Sequence, residues 1–210
     1  MSTRAVIFDL GGVVLGSPLH AIAAYERDQG LPPNAINHVV ASTAPHGAWS
    51  RLERGEISML DFFDAFEQDC AKAGWTISAR DMMERIGETS IPRPSMLEAI
   101  RRIRSQGLRV AALTNNWAPE GEVATDGNPL LPLFDVFLES SVEGLRKPDP
   151  RIYDLVCERL GVAPEEAVFL DDIGANLKPA RAMGMTTLKV ETPEASLEEL
   201  AEILGFPLGD

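Results

Sequence analysis

The stretch Ala5-Val6-Ile7-Phe8-Asp9-Leu10-Gly11-Gly12-Val13-Val14 constrains the fold more than any other part of the chain. Ala5 to Phe8 has the length and β-branched content of a strand buried on both faces. A carboxylate ends the run, and two glycines follow Leu10. In open α/β sheets, ligands bind outside the carboxyl ends of the strands, where this pattern puts Asp9. Gly11 and Gly12 permit a sharp turn and a close approach of backbone to ligand. Taken alone, Asp9 could equally cap a turn beside a core strand.

From residue 16 to about 90 the signals are helical, with no strand between them. Ser17-Pro18 reads as an N-cap with proline at the first helical position. Gly30 stops that helix, and Pro32-Pro33-Asn34 restarts a shorter one towards Val40. Trp49 to Arg54 forms another piece, ended by Gly55. Ser58 with Asp61, and Ser78 with Asp81, have capping-box-like spacing. The segment therefore reads as a bundle of four or five helices.

Helix and strand alternate only after Ile91-Pro92. A helix over Pro94–Ser105 leads to a strand over Leu108–Leu113, which ends at Thr114-Asn115-Asn116. A long surface loop over 117–133 and a short strand over Val136–Leu138 follow. Then come a helix over Arg151–Leu160, a strand over Ala167–Leu170 entering Asp171-Asp172, and a helix over Asn176–Met183. A strand over Thr186–Val190 and a closing helix near Ser196–Leu204 complete the chain. This alternation predicts an α/β fold with a Rossmann-like parallel sheet. Residues 1–15 and 92–210 would form the α/β core domain, with 16–91 inserted as an all-helical domain. Hinges are expected near Val14–Ser17 and Ser90–Pro92.

A formal charge of −13 argues against a nucleic-acid partner and against an anionic membrane surface. The first twenty residues hold a strand with an embedded aspartate instead of a signal-peptide core, and no apolar run is long enough to span a bilayer. Cys70 and Cys157 fit no ligand spacing and read as free thiols in a reducing compartment, so a cytoplasmic location is expected. Oligomeric state is not legible.

Four polar clusters fall at predicted strand ends or just after them: Asp9, Thr114-Asn115, Lys147 and Asp171-Asp172. Parallel strands deliver their carboxyl ends to one rim, so these clusters should converge. Phosphoryl transfer needs this set of parts: a nucleophile, a hydroxyl and amide for the equatorial oxygens, a lysine, and carboxylates for Mg²⁺. Each cluster also has a plainer reading, as a turn, a solvated charge or a helix cap.

The order Asp…Thr-Asn…Lys-Pro…Asp-Asp, with a helical insert after the first strand, resembles the haloacid dehalogenase-like superfamily with a C1-type cap. The stretches Phe134–Ser140 and Val168–Ala180 are similar to the phosphatase domains of soluble epoxide hydrolases and to related domains of acyl-CoA dehydrogenase family proteins. The resemblance implies a hydrolase acting on a small phosphorylated metabolite with Mg²⁺ as cofactor. Asp9 would be the nucleophile, forming an aspartyl-phosphate, and a metal ligand. Thr114 and Asn115 would hold phosphoryl oxygens, and Lys147 would pair with Asp9 and the phosphate. Asp172 and the Gly11 carbonyl would complete the protein ligands of Mg²⁺. Asp171 would act through water or lysine, and Asn176 would orient the acidic loop. The sequence ends at Asp210, with no epoxide hydrolase or dehydrogenase domain expected.

Gly11 departs from the pattern. Most phosphatases of the superfamily carry there a second aspartate, which protonates the leaving oxygen and later activates water. Such help is typically worth about 10²–10⁴-fold in rate. Three outcomes stay open: a slow or leaving-group-restricted phosphatase, a substitute proton donor such as His20 or His46, or a silent phosphate-ligand-binding protein. The dehalogenase branch, which lacks the acidic pair and carries an aromatic at this position, fits less well. A receiver-like signalling domain fits poorly, because the motif order differs. Trp49 and Arg51 are candidates for the substrate-facing side of the insert.

Overall fold

The computed structural model describes residues 2–118 and 128–209. The segment Ala5–Phe8 forms β1, fully buried. Five helices follow it: α1 (Pro18–Asp28), α2 (Ala35–Thr43), α3 (Ala48–Glu53), α4 (Met59–Lys72) and α5 (Ala79–Thr89). Ser58 and Ser78 cap α4 and α5, each hydroxyl accepting from the backbone N–H three residues on, as their spacing predicts. Ser17 precedes α1 but makes no such bond with its side chain.

The remaining elements are α6 (Pro94–Ser105), β2 (Arg109–Thr114), β3 (Val136–Glu139), α7 (Ser140–Glu143), α8 (Pro150–Leu160), β4 (Ala167–Asp171), α9 (Gly174–Ala182), β5 (Thr186–Lys189) and α10 (Pro193–Leu204). α10 starts three residues earlier than Ser196, because Thr192 caps it and Pro193 takes its first position. The loop expected over 117–133 lies at 119–127 outside the described residues. Leu131–Leu133 within it is a 3₁₀ turn.

The strands pair in parallel in the order β3-β2-β1-β4-β5. The chain runs one way from β1 and then resumes on the other side with β4, so the order reverses between those two central strands. That switch point opens a crevice at their carboxyl ends.

Side chains of β1 alternate between two cores. Val6 and Phe8 pack under α6 and α10, with Ile100, Ile103 and Leu200, whereas Ala5 and Ile7 pack under α8 and α9, with Ile152, Val156 and Leu177. Burial on both faces explains why β1 reads as a continuous apolar run. The helices α1 to α5 gather around a third cluster that includes Ile22, Tyr25, Phe62, Phe66 and Met82. Where the chain leaves that segment, Leu15 pairs with Pro92 in an isolated antiparallel bridge.

Candidate active site

β1 ends in a single wide turn. Leu15 N–H donates to Leu10 O at 2.8 Å, and Gly12 inside the turn has φ +81°. That conformation favours glycine, and a Cβ on Gly12 would lie 2.0 Å from Asp172 Oδ2. The glycine thus lets the turn after β1 close against the loop after β4. Gly11 has an ordinary φ of −66°, and a Cβ there would meet the Pro18 ring at 3.2 Å.

The strand ends bring Asp9 and the Asp171-Asp172 pair together, with one carboxylate oxygen from each inside a 4.8 Å cluster. Lys147 Nζ, fully buried, reaches Asp9 Oδ1 at 2.9 Å and Asp171 Oδ2 at 2.7 Å. Asn176, in the first turn of α9, donates to both oxygens of Asp171 at 3.1 Å. Leu10 N–H donates to Asp9 Oδ1 at 2.7 Å. Asn115 Oδ1 accepts from Lys147 N–H at 2.8 Å, and its Nδ2 donates to Lys147 O at 3.0 Å, so this amide side chain fixes the lysine's backbone.

The cluster carries more negative than positive charge. Burial pushes the Asp9 carboxyl well above the ordinary value, with Lys147 opposing the shift and Asp171 and Asp172 adding to it. Burial and the neighbouring Asp171 push Asp172 up to about 6. Burial disfavours the Lys147 ammonium, but Asp171 and Asp9 outweigh it and hold its pKa above the usual value. Three carboxylates facing one ammonium form a hard-oxygen donor set with uncompensated charge, which suits a small divalent cation.

A cavity of about 370 Å³ opens over this cluster. Asp9, Gly11, Asn115, Lys147, Asp172 and Asn176 line one side, and Leu19, Ile22, Val40 and Trp49 from α1 to α3 line the other. Thr114 faces an adjoining cavity of about 240 Å³, which also touches Gly11 and Asn115. Trp49 lines the cavity and also packs in the helical core, whereas Arg51 pairs with Glu56 at the surface. His20 and His46 are exposed and absent from both linings, so neither stands where a proton donor beside Gly11 would be needed.

Three residues here escaped the sequence reading. Ser17 Oγ donates to Asp172 Oδ2 at 3.3 Å. Glu53 and Arg146, both lining the cavity, form an ion pair between α3 and the Lys147 segment. A serine before a proline reads as a helix cap, and nothing local in the sequence marks the other pair.

Residues 3–184 match the model of the haloacid dehalogenase-like hydrolases. The chain belongs to that family. This family member is 40% identical over 99% of its length to Acyl-CoA dehydrogenase family member 10 of Mus musculus, but spans only 20% of that protein. It is 34% identical over 99% of its length to Bifunctional epoxide hydrolase 2 of Sus scrofa, spanning 40% of it. A phosphatase of Mycobacterium tuberculosis is 30% identical over 91% of the chain and 88% of its own. Among solved structures, a predicted HAD-like family hydrolase from Porphyromonas gingivalis superposes with a TM-score of 0.68 at 21% identity, covering 97% of this chain and 98% of its own.

Proposed function

We propose that this HAD-like hydrolase is a Mg²⁺-dependent phosphatase acting on a small phosphomonoester through an aspartyl-phosphate on Asp9. The observation that carries the reading is the buried Lys147 ammonium held between Asp9 and Asp171 at the switch point of the sheet. The Mycobacterium tuberculosis phosphatase, similar along most of both chains, supports the same chemistry.

Asp9, Asp172 and the Gly11 carbonyl would hold Mg²⁺, which when bound neutralises the charge of the cluster and of the phosphoryl oxygens. Lys147 opposes the burial that disfavours the Asp9 carboxylate, orients it and meets one phosphoryl oxygen. Thr114 contributes its hydroxyl and Asn115 its backbone, since the Asn115 amide side chain is engaged with Lys147. An Asp9 carboxylate oxygen attacks phosphorus while the bond to the leaving oxygen breaks. Water protonates the leaving oxygen, and a second water attacks the phosphorus of the aspartyl-phosphate, releasing phosphate and restoring the carboxylate. With Gly11 in place of a proton-transferring side chain, the first step depends on a good leaving group, such as an acyl or anomeric oxygen.

Residues 16–91 act as a helical cap over a core of 1–15 and 92–210, with α1 to α3 supplying the apolar wall of the cavity. That wall favours a substrate with an apolar body behind its phosphate. No helix among the described residues is long and apolar enough to cross a membrane. The buried free thiols Cys70 and Cys157 accord with a cytoplasmic setting.

The test is a panel of phosphomonoesters, including acyl phosphates and sugar 1-phosphates, with Mg²⁺ and with EDTA. Turnover that requires Mg²⁺ and disappears in Asp9→Asn supports the reading. A second reading, a silent phosphate-ligand binder, is favoured by Gly11 itself, and it predicts no turnover of any ester with phosphate binding retained.

A further inference from the structure

Glu53 is a buried carboxylate that the chemistry above leaves unused. It ends α3, is 6% exposed, and lines the same cavity as Asp9 and Lys147. It accepts from two donors at once, Arg146 Nε on one oxygen and Trp49 Nε1 at 3.0 Å on the other. Arg146 Nη1 also reaches Ser50 Oγ at 3.3 Å, so its guanidinium spans one turn of α3.

Arg146 directly precedes Lys147. The Lys147 backbone is therefore tied on one side to β2, through Asn115, and on the other to α3, through its neighbour. Glu53 simultaneously fixes the Trp49 indole, whose ring packs edge-on against Trp117, another lining residue, at 6.0 Å. One carboxylate thus connects the wall that would grip a substrate body to the segment that carries the lysine.

Stability does not explain the pair well. Burying a carboxylate and a guanidinium loses their hydration, and well-packed apolar residues in their place are often as stable or more so. Burial indeed raises the Glu53 pKa against the opposing pull of Arg146. What such a pair supplies is direction, because a planar guanidinium bonds only in fixed geometry.

We propose that Glu53 and Arg146 are positioning residues, which hold the Lys147 segment and the Trp49 wall in register so that a bound substrate presents its phosphorus to Asp9. The inference rests on the phosphatase reading. It requires no contact between either residue and the reacting atoms.

The test compares wild type with Glu53→Gln, Arg146→Met, the double variant and Arg146→Lys. Readouts are kcat and KM on acetyl phosphate, the thermal midpoint, and orthovanadate affinity with Mg²⁺, followed by tryptophan fluorescence. The expected result is a kcat at least tenfold lower in Glu53→Gln, Arg146→Met and the double variant. The thermal midpoint should fall in the single variants, which leave one charge buried without its partner, and stay unchanged or rise in the double variant. The double variant should lose no more than either single one, and Arg146→Lys should recover part of the loss. Orthovanadate affinity should fall at least fivefold in the same variants, a readout that holds even if the wild type turns over no ester. A silent wild type overturns the phosphatase reading, while orthovanadate still tests the pair. Unchanged affinity and kcat, or losses that only follow a lowered thermal midpoint, overturn the positioning role.

Discussion

Lys147 Nζ lies 2.7 Å from Asp171 Oδ2, and neither side chain exposes any surface. With Asp9 on its other side, this ammonium is the cation that lets two carboxylates stay buried at the switch point of the sheet. Removing one partner of such a buried set leaves uncompensated charge, at a cost of about 3–5 kcal/mol. Lys147→Met should therefore abolish turnover and lower the metal-free melting midpoint by about 6–20 °C. Calorimetry checks the shift. An unchanged midpoint would mean that the carboxylates do not depend on the lysine.

The two glycines after β1 should respond differently. Gly12→Ala places a methyl into Asp172 and forces a left-handed backbone on a β-carbon, which alone disfavours the fold by about 1–2 kcal/mol. Its kcat/KM should drop at least about 100-fold, as the acidic loop is displaced. Gly11→Ala meets only the edge of the Pro18 ring and should stay within a few fold of wild type. Gly11→Asp is pressed by the same ring, so Gly11→Asp with Pro18→Ala should gain more rate on poor leaving groups than Gly11→Asp alone. Steady-state kinetics on alkyl and acyl phosphates separates these outcomes.

The cavity of about 370 Å³, with Leu19, Ile22, Val40 and Trp49 facing Asp9, predicts selectivity for apolar bodies. Each methylene added to the chain of an n-acyl phosphate should raise kcat/KM up to about fourfold, the equivalent of about 0.8 kcal/mol, until the cavity is filled. A flat profile from acetyl to octanoyl phosphate would place the leaving group elsewhere.

How much of this site could be read in advance follows from where its residues lie. Asp9, Thr114, Asn115 and Asp171-Asp172 were legible because a parallel sheet sends the end of every strand to one rim. Lys147 comes later, beyond α7, and the Asn115 amide side chain holds its backbone at that rim. Asn176 was legible only through the family resemblance; its amide lies in the first turn of α9, bonded to Asp171. Ser17 was not, because a serine before proline announces a helix cap, whereas here its hydroxyl turns to a carboxylate 155 residues away. Glu53 and Arg146 are 93 residues apart, on an exposed-looking helix end and in a loop, so only the folded chain joins them. The start of α10 was legible in Thr192-Pro193. α7, with four residues, is too short to carry a periodic pattern.

Glu139, at the end of β3, is another buried carboxylate, and burial raises its pKa while the Asn116 amide bonded to it at 2.6 Å opposes the rise. A raised folded value means that ionisation is easier in the unfolded chain. This group therefore reduces stability as pH rises from its unfolded pKa through its folded one, and the full penalty applies above that. Glu139→Gln should raise the melting midpoint at pH 8 and have a smaller effect near pH 4, where the wild-type carboxyl is mostly protonated in both states. Equal effects at both pH values would assign the change to packing.

Acceptance of phosphorus by Asp9 is the step on which the proposed chemistry depends. Enzyme turning over acetyl phosphate with Mg²⁺, quenched during the steady state and reduced with borohydride, should yield homoserine at position 9 in tandem mass spectrometry, and none in Asp9→Asn. Sustained turnover with position 9 recovered only as aspartate, or with the reduced residue elsewhere in the chain, would contradict it.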